Sequence, residues 1–573
     1  MPNFYTENDD IQFHMKTMNL DKVISYVEND FADKGKYDYA PTSLEDAKDS
    51  YNRILTIIGD ICGNYIAPRA PEVDREGATF KDGEVTYAKG TQEALDMLTK
   101  AEVMGMTLPR QYGGLNCPMT IYMLATELVS RADASLMNLF GLQEIAETIN
   151  RFGDEDQKKR YLPRFCRGEV TASMALTEPD AGSDLQAVML TAYEDDKNQW
   201  RLKGVKRFIT NGCGEISLVL ARTEAGSTDA RGLSMFIYER EAGMKIRRIE
   251  HKLGIHGSPT CEIQFNDAPA ELCGKRRMGL FKYVMSLMNG ARLGIAAQAL
   301  GIAEAAYAEA DKYAKERVQF RKAIREFIPV SELLADMRVK IEAGRTLMYH
   351  TCRIVDIKNH LENIYDNDET RAREVKDEYK KASGLAALLT PSVKAYNTEM
   401  CNEVAYEGIQ IHGGTGYMQE FNIERHYRDA RITNIYEGTT QLQVVAAIGG
   451  VIKGTAAEHI DEILAQADLS SVAHLEKAAR EMKDLLVDAV RYVHEKGDPQ
   501  YQDYHSRRLV EMSTNGIICA LMINDAVHSE RKRDVAKYFI EKALPECRMK
   551  HELITSGNAL MLEKKDQLLQ GKN

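Results

Sequence analysis

The sequence lacks the motifs that would hold a metal ion or a disulfide framework. Its ten cysteines are scattered along 573 residues, and no two of them form a C-x-x-C pair. This spacing favours reduced thiols over disulfides or zinc ligands. The chain contains no H-E-x-x-H motif, and no Ser-His-Asp spacing indicates hydrolytic chemistry. We therefore predict no metal site.

Long apolar runs and an excess of positive charge are also missing. No stretch of about 18 apolar residues occurs, and the first ten residues, MPNFYTENDD, are polar and acidic. With 74 basic and 86 acidic side chains, the formal net charge is -12. Nucleic-acid recognition needs concentrated positive charge, so this balance argues against a nucleic-acid partner. We expect a soluble, cytoplasmic protein without membrane association.

Hydrophobic patterning divides the chain into four segments. Residues 1–165 hold an N-terminal extension and then, from Asp46, apolar residues at helical spacing. Residues 166–275 contain short β-rich runs separated by turn residues, which predicts a small antiparallel barrel or sandwich. Residues 276–450 return to helical spacing. Residues 451–573 form a polar helical tail, with breaks expected at Gly497, Pro499 and around Pro545.

Two segments with small or hydroxyl-bearing residues lie in the predicted β-rich region. The first is the loop "ALTEPDAGSDL", Ala175 to Leu185, and the second is "VKRFITNG", Val205 to Gly212, at the end of the predicted strand "WRLKGVKRFIT". Hydroxyls, a glycine and backbone amides of this kind suit the polar edge of a flat ring, against which Phe208 would lie. A surface loop, and a core phenylalanine followed by an Asn-Gly turn, are equally compatible with these residues.

A third segment, "QIHGGTGYM" from Gln410 to Met418, contains the spacing G-G-x-G. It follows a helical segment rather than a strand, so a turn that ends a helix is expected instead of a Rossmann dinucleotide site. Its glycines would also admit part of a cofactor bound in another way. His412 is expected to be packed or solvent-facing rather than a ligand.

The segment "RITNIYEGTTQLQVV" places Glu437 just before a predicted helix. Thr440 and Gln443 have the spacing of a capping box and an apolar run follows, so the helix is expected to begin near Thr439 or Thr440. A carboxylate at this place can simply complement the helix dipole. Taken alone, the segment does not distinguish that role from a chemical one.

Seven separated motifs in fixed order resemble the acyl-CoA dehydrogenases, a family of flavoenzymes. They are "LPRQYGG", "GDEDQKKRYLPRFCRGE", "ALTEPDAGSD", "KRFITNG", "KLGIHGSPTCEIQF", "ERVQF", and "QIHGGTGY" with "RDARITNIYEGTTQLQ" after it. The resemblance covers about residues 105 to 450. It implies an N-terminal α-helical domain, a middle antiparallel β-barrel and a C-terminal four-helix bundle, with the extra helical tail of a long, bacterial-type subgroup. The implied cofactor is FAD.

The resemblance also implies a role for individual positions. Glu437 matches the catalytic base. The positions that match the flavin site are Met174, Leu176, Thr177, Ser183, Phe208, Thr210, Arg317, Gln319, Phe320, Gln410, Gly413, Gly414, Thr439 and Gln441. The positions that match the substrate site are Ser183, Asn289, Arg292, Glu437 and Gly438. One branch of the family carries its base immediately before the arginine, where this chain has Ala291, so Glu437 has no rival.

The chain departs from many relatives at three places. Met174 and Phe208 occupy positions where Tyr or Trp is common, so the stacking on the flavin is expected to differ in detail. Gly449 stands near the place of an arginine that some relatives direct at CoA.

The activity that the resemblance implies is FAD-dependent α,β-dehydrogenation of a saturated acyl-CoA to a trans-2-enoyl-CoA. Glu437 would remove the α-proton, FAD would accept the β-hydride, and the backbone N–H of Glu437 would stabilise the thioester oxygen. The implied electron acceptor is electron-transferring flavoprotein, and the implied assembly is a homo-oligomer, a dimer or a dimer of dimers. An acyl-CoA oxidase and a catalytically silent scaffold are the alternatives. The tail is expected to be an added structural layer rather than a membrane-surface helix.

Overall fold

The computed structural model describes residues 2–570, which fold into two compact units. The first unit contains the residues up to Gln12 together with Leu20–Ala314 and Val404–Thr433. The second contains Phe13–Asn19, Lys315–Glu403 and the residues from Asn434 onward.

The N-terminal third of the chain is helical. Its helices are α1 (Asp9–Thr17), α2 (Asp21–Val27), α3 (Leu44–Ile61), α4 (Ala70–Glu76), α5 (Lys89–Lys100), α6 (Met119–Ala132), α7 (Ala134–Phe140), α8 (Gln143–Phe152) and α9 (Glu155–Cys166). A small hairpin, β1 (Thr79–Lys81) with β2 (Glu84–Thr86), interrupts them and was not expected from the sequence. The side chain of Asp154 accepts from the backbone N–H of Gln157 and Gln157 bonds back, a capping box that starts α9.

The middle segment forms a seven-stranded sheet. Its strands are β3 (Ala172–Ala175), β4 (Thr191–Glu194), β5 (Trp200–Thr210), β6 (Ile216–Arg222), β7 (Leu233–Glu239), β8 (Met244–Ile249) and β9 (Thr260–Cys273). The order is β3-β6-β4-β5-β9-β7, with β8 paired to β9 beside this path, and an additional pairing of β7 with β6 closes the sheet on itself. The predicted β-barrel is therefore confirmed, although β3 and β4 each pair with β6 in parallel. All seven residues of β6 are buried, because the barrel interior covers one face and other parts of the core cover the other.

Long helices dominate the C-terminal half. They are α10 (Met285–Glu316), α11 (Ile328–Asn367), α12 (Ala372–His412), α13 (Ile423–Thr433) and α14 (Thr440–Ile452), with a short hairpin of β10 (Val318–Gln319) and β11 (Lys322–Ala323) after α10. The tail adds α15 (Thr455–Leu464), α16 (Ala473–Lys496), α17 (Pro499–His528), α18 (Glu530–Thr555), α19 (Leu560–Glu563) and α20 (Lys565–Gln570).

The tail keeps two of its three predicted breaks. Gly497 caps α16 with a left-handed φ of 60°, and Pro499 is the first residue of α17. The break predicted around Pro545 is wrong, since Pro545 lies inside α18. That helix instead begins after Ser529, whose side chain accepts from the backbone N–H of Lys532. In the second unit α17 packs against α11, α14, α16 and α18, so the tail forms a helical layer.

Among residues 2–570, no helix is both long and apolar enough to cross a membrane. No group of three or more His, Cys, Asp or Glu side chains in this part of the chain is arranged to hold a metal ion. The ten cysteines are free and buried.

Candidate functional site

In the first unit, strand β5 holds the loop that follows β3. The backbone N–H of Arg207 donates to the carbonyl oxygen of Thr177 at 3.0 Å. The Lys206 Nζ donates to the Leu176 carbonyl at 2.8 Å and to the Glu178 carboxylate at 2.9 Å. That carboxylate also accepts from the backbone N–H groups of residues 189 and 190, at 2.7 and 2.9 Å. These hydrogen bonds join the loop after β3 to the end of β5, the two segments predicted to bind the flavin.

Lys206 and Glu178 were missed by the sequence analysis. The Lys206 side chain is fully buried, and burial lowers its pKa to about 8 against the opposing charge of Glu178. The residues that form this pair are visible in the two motifs, as the acid between Thr177 and Pro179 and the lysine that follows Val205. Nothing in the sequence paired these two charges.

Phe208 and Thr210 lie on β5, and Thr177 lies on the loop that β5 holds. The register between β5 and β9 shifts between Lys206 and Ile209, and Phe208 adopts a φ of 62° with 51% of its surface exposed. Thr177 and Thr210 are half-buried, and neither hydroxyl bonds to protein among the described residues. The Phe208 ring has the Arg207 guanidinium carbon 4.6 Å from its centre. A half-exposed aromatic ring and two available hydroxyls are groups that suit a flat ring with polar edges. Ser183 is exposed, Met174 is half-buried, and Leu176 packs into the hydrophobic core.

The predicted substrate residues Asn289 and Arg292 lie near the start of α10. The Arg292 Nη1 donates to the Asn289 Oδ1 at 3.1 Å, and Arg292 is buried. Glu144 of α8 faces the same stretch, because a Cβ on Gly290 would lie 3.2 Å from the Glu144 Oε2. One turn along α8, burial raises the pKa of Glu147 to about 7. Glu144, which faces the start of α10, was not predicted.

The G-G-x-G segment ends helix α12, as predicted. Gln410 is exposed, and a Cβ built on Gly413 or Gly414 would meet no atom within 4 Å. His412 is packed, since its ring stacks on Tyr313 with centroids 4.3 Å apart and its Nδ1 lies 2.7 Å from the carbonyl oxygen of Gly408. The open backbone beside Gly413 and Gly414 leaves room for a ligand.

In the second unit, three predicted flavin positions lie at the β10–β11 hairpin. Arg317, Gln319 and Phe320 are all exposed. Phe320 has 89% of its surface exposed and a φ of 49°. An aromatic ring this exposed on a strained turn is typical of a surface that another molecule covers.

The turn that carries Glu437 has two consecutive left-handed residues. Glu437 has a φ of 54° and Gly438 a φ of 92°. For a residue with a side chain this conformation costs roughly 1–2 kcal/mol. Helix α14 begins at Thr440 after the N-cap Thr439, whose side chain accepts from the backbone N–H of Leu442. The predicted helix start is confirmed, and Gln441 is exposed in its first turn.

The capping box predicted for Thr440 and Gln443 is wrong. The Gln443 side chain donates through Nε2 to the carbonyl oxygens of Glu437, at 3.2 Å, and Gly438, at 2.9 Å. The Lys394 Nζ of α12 donates to the same Gly438 oxygen at 2.6 Å. The left-handed turn brings these carbonyl oxygens close to Gln443. The Gln443 amide therefore hydrogen-bonds to the turn and does not cap the helix.

Four family models match the chain in succession. They are the N-terminal domain of the acyl-CoA dehydrogenases at residues 49–169, the middle domain at 173–268, the C-terminal domain at 293–441 and a further C-terminal region at 452–560. The chain belongs to the acyl-CoA dehydrogenase family. It is therefore an oxidoreductase, as predicted.

Individual acyl-CoA dehydrogenases and related proteins are similar over most of the chain. The 3-methylmercaptopropionyl-CoA dehydrogenase of Ruegeria pomeroyi is 34% identical over 441 residues, which cover 72% of this chain and 71% of that protein. The CarC subunit of the caffeyl-CoA reductase-Etf complex of Acetobacterium woodii is 34% identical over 370 residues, which cover 63% of this chain and 90% of the CarC subunit.

A solved acyl-CoA dehydrogenase from Bacillus anthracis, in complex with FAD, shares the fold. Its TM-score is 0.76 at 24% identity, and the match covers 93% of this chain and 92% of that one. The predicted fold is confirmed. The family is FAD-dependent, which agrees with the cofactor predicted from the motifs.

Proposed function

We propose that this chain catalyses the α,β-dehydrogenation of a saturated acyl-CoA thioester to the trans-2-enoyl-CoA with Glu437 as the base. The observation that carries the proposal is the turn at Glu437 and Gly438, where a strained carboxylate residue is held in place before a helix N-terminus. Strained backbone that the surroundings over-determine is concentrated at functional sites.

The difficult step is removal of a weakly acidic proton from the carbon next to the thioester. The Glu437 carboxylate would take this α-proton, and the backbone N–H of Glu437 would donate to the thioester oxygen as negative charge develops there. Bound FAD supplies the acceptor for the β-hydrogen and its electron pair, which protein side chains cannot provide. The α-C–H and β-C–H bonds break, and the electrons of the α-C–H bond form the new double bond.

The remaining predicted residues would bind and orient the two molecules. Thr177 and Thr210 would hydrogen-bond the edge of the flavin ring, and Phe208 would lie against it. Gly413 and Gly414 would leave space for the phosphates, and Arg292 with Asn289 would contact the substrate. The remaining flavin positions, Met174, Leu176, Ser183, Arg317, Gln319, Phe320, Gln410, Thr439 and Gln441, are proposed to contact FAD as the family resemblance implies.

A cavity of about 870 Å³ lies on the middle segment and is proposed to accept part of the CoA arm. Its lining includes Met189, Thr191, Trp200, Glu224 and Arg276. The Arg276 guanidinium lies 5.5 Å from the centre of the Trp200 ring and also pairs with Glu224 at 2.8 Å. An arginine beside an aromatic face suits the base of a nucleotide.

We propose electron-transferring flavoprotein as the electron acceptor. The name of the Acetobacterium woodii relative, a subunit of an Etf complex, supports this choice. An acyl-CoA oxidase would instead transfer the electrons to oxygen. After anaerobic reduction by substrate, slow reoxidation in air and rapid reoxidation by the flavoprotein would support the proposed acceptor, whereas rapid reoxidation in air would favour the oxidase.

Three further expectations from the sequence are carried forward as proposals. The chain is divided into segments 1–165, 166–275, 276–450 and 451–573, with which the residue ranges matched by the four family models broadly agree. The functional assembly is a homo-oligomer, either a dimer or a dimer of dimers. The enzyme works in the cytoplasm.

The decisive experiment compares Glu437→Gln with Glu420→Gln under anaerobic titration by a chain-length series of saturated acyl-CoAs. Glu420 is an exposed carboxylate and serves as the matched control. We expect Glu437→Gln to keep its yellow FAD but to lose the rate of flavin bleaching by a factor of about 10² to 10⁴, since it lacks the base. Glu420→Gln should bleach normally. Normal bleaching by Glu437→Gln would refute the assignment of the base.

A further inference from the structure

Helix α12 contacts both sides of the turn that carries Glu437. On one side the Lys394 Nζ donates to the Gly438 carbonyl oxygen at 2.6 Å. On the other side the Thr440 hydroxyl donates to the Glu399 carboxylate. Lys394 and Glu399 are five residues apart on one helix, so a single rigid element fixes the residues before and after Thr439.

Lys394 is fully buried. Removing an ammonium group from water is unfavourable unless the protein supplies strong acceptors. A hydrogen bond from a charged donor to a carbonyl is shorter and stronger than a neutral one, and the 2.6 Å contact to Gly438 fits this class. The lysine is thus a strong constraint on the Gly438–Thr439 peptide group, which is the second peptide group after the proposed base.

Gln443 applies a second constraint from inside α14. Its buried amide binds the carbonyl oxygens of both Glu437 and Gly438. A Cβ on Gly438 would lie only 2.7 Å from that amide nitrogen, so glycine is required for the close approach. Lys394 and Gln443 therefore converge on one carbonyl, and together they hold two peptide groups in the left-handed conformation.

We infer that Lys394 is a positioning residue for the proposed base, and this inference rests on the assignment of Glu437 in the proposed function. The lysine acts through the Gly438 carbonyl and does not itself exchange a proton with substrate. Its task is to keep the left-handed turn from relaxing, so that the Glu437 carboxylate stays where the α-proton is presented. Small displacements of a catalytic group reduce rate far more than they reduce binding.

The test measures flavin bleaching by a saturated acyl-CoA in stopped flow, with Lys394→Met, Lys394→Arg and wild type as holoenzymes. We expect Lys394→Met to retain FAD and a substrate half-saturation concentration within about threefold of wild type, while its bleaching rate falls about 10- to 100-fold. An α-dideuterated substrate should show a larger isotope effect in this variant, because proton removal then limits the rate more fully. Lys394→Arg keeps a cationic donor and should restore part of the rate.

Two lysine-to-methionine controls separate positioning from general stability. Lys340 of α11 is only partly buried, with 40% of its side chain exposed, and it pairs with Glu403 at 2.8 Å; Lys340→Met should behave as wild type. Lys532 is buried like Lys394 but donates to Glu342. Lys532→Met should lower the unfolding temperature while leaving the bleaching rate per FAD unchanged.

The outcomes distinguish this inference from the proposed function. A wild-type enzyme that no acyl-CoA bleaches, or a Glu437→Gln variant that bleaches normally, would overturn the proposed function and the inference with it. If wild type bleaches, then normal bleaching by Lys394→Met overturns the inference alone. It is also overturned if Lys532→Met slows bleaching as much as Lys394→Met does, or if Lys394→Arg bleaches more slowly than Lys394→Met.

If Lys394→Met does not fold, the Lys394→Arg variant decides. An unchanged half-saturation concentration with slower bleaching supports the inference, and bleaching at the wild-type rate overturns it.

Discussion

At the scale of single residues, three predicted site residues other than glycine have a left-handed backbone: Phe320 at the β10–β11 hairpin, and Phe208 and Glu437. Phe208 has a φ of 62° and Glu437 a φ of 54°. Both belong to residue types that rarely adopt this region, and each is held by neighbouring hydrogen bonds or strand pairing. Backbone strain at Phe208 and at Glu437 indicates that both positions are functional, and this indication does not depend on the sequence motifs.

Gly438→Ala tests the turn formed by Glu437 and Gly438, and Gly454→Ala is the control because Gly454 has a similar φ. Gly438 and Gly454 have φ values of 92° and 84°, but only at Gly438 would a Cβ meet another group, the Gln443 amide at 2.7 Å. Either alanine should reduce the free energy of unfolding by roughly 1–2 kcal/mol because of the left-handed backbone. Only Gly438→Ala should also reduce the rate of flavin bleaching, by about tenfold or more, because the clash displaces the turn.

The measurements for this pair are the bleaching rate per bound FAD and the unfolding midpoint in urea. Equal bleaching rates in the two alanine variants would show that the turn tolerates displacement. The same outcome would remove the main structural argument for Glu437 as a precisely held base.

At the scale of elements, strand β5 supports the flavin loop through one buried ion pair. The Lys206 Nζ lies 2.9 Å from the Glu178 carboxylate, and that carboxylate also binds two backbone N–H groups of the chain leading into β4. Within this loop, Leu176 and Ala181 pack into the hydrophobic core, whereas Pro179, Gly182 and Ser183 are exposed. The ion pair therefore acts together with these apolar contacts and with the Arg207–Thr177 backbone hydrogen bond to hold Thr177 beside β5.

Lys206→Met should destabilise the middle segment and weaken FAD binding. Breaking a buried ion pair from one side typically costs about 3–5 kcal/mol, because the remaining charge is left without its partner. Lys203→Met on the same strand is the control, since Lys203 is 64% exposed and its contact with Asp267 is 3.8 Å long; its effect should stay within about 0.5 kcal/mol. Urea unfolding and the FAD content after gel filtration measure the two effects. FAD retention at the wild-type level in Lys206→Met would show that the loop does not depend on this pair.

At the scale of the whole molecule, the tail is fastened to the second unit by a buried carboxylate. Glu342 of α11 is fully buried and accepts from Lys532 of α18 at 2.8 Å and from Arg338 at 2.9 Å, and it also pairs with Arg531. Two of these three cations, Arg531 and Lys532, belong to α18 and join the tail to α11, whereas Arg338 lies on α11 itself. The tail is thus an integral layer of this unit.

Glu342→Gln should loosen the tail, because three cations would lose their counter-charge. We expect a loss of about 3–5 kcal/mol in the free energy of unfolding and faster proteolysis within residues 453–570. Glu332→Gln is the control on the same helix, since Glu332 also faces α18 but is 60% exposed in its pair with Lys542. Its effect should be below about 0.5 kcal/mol. Equal unfolding midpoints and equal proteolysis for the two variants would contradict the fastening role.

Much of the architecture could be predicted because local patterns already define it. The strand from Trp200 to Thr210 was recognised in full, and the helix start at Thr440 and the break at Gly497 followed from cap and turn residues. Pro545 was misjudged because a proline signals a helix end in isolation, whereas here the surrounding residues of α18 are packed well enough to keep the helix. The parallel pairing of β3 with β6 was missed because it joins residues about 40 positions apart.

By itself, the sequence determined the order of helical and strand segments, the family and the identity of the expected base. These follow from short-range periodicity and from motifs that are contiguous along the chain. Only the tertiary structure decided what holds those motifs. Lys206 meets Glu178, Lys394 meets the Gly438 carbonyl, and Lys532 meets Glu342 across separations that no local pattern encodes. The physical reason is that a buried charge finds its partner through the packing of distant elements, and the requirement for a partner is visible only once burial is known.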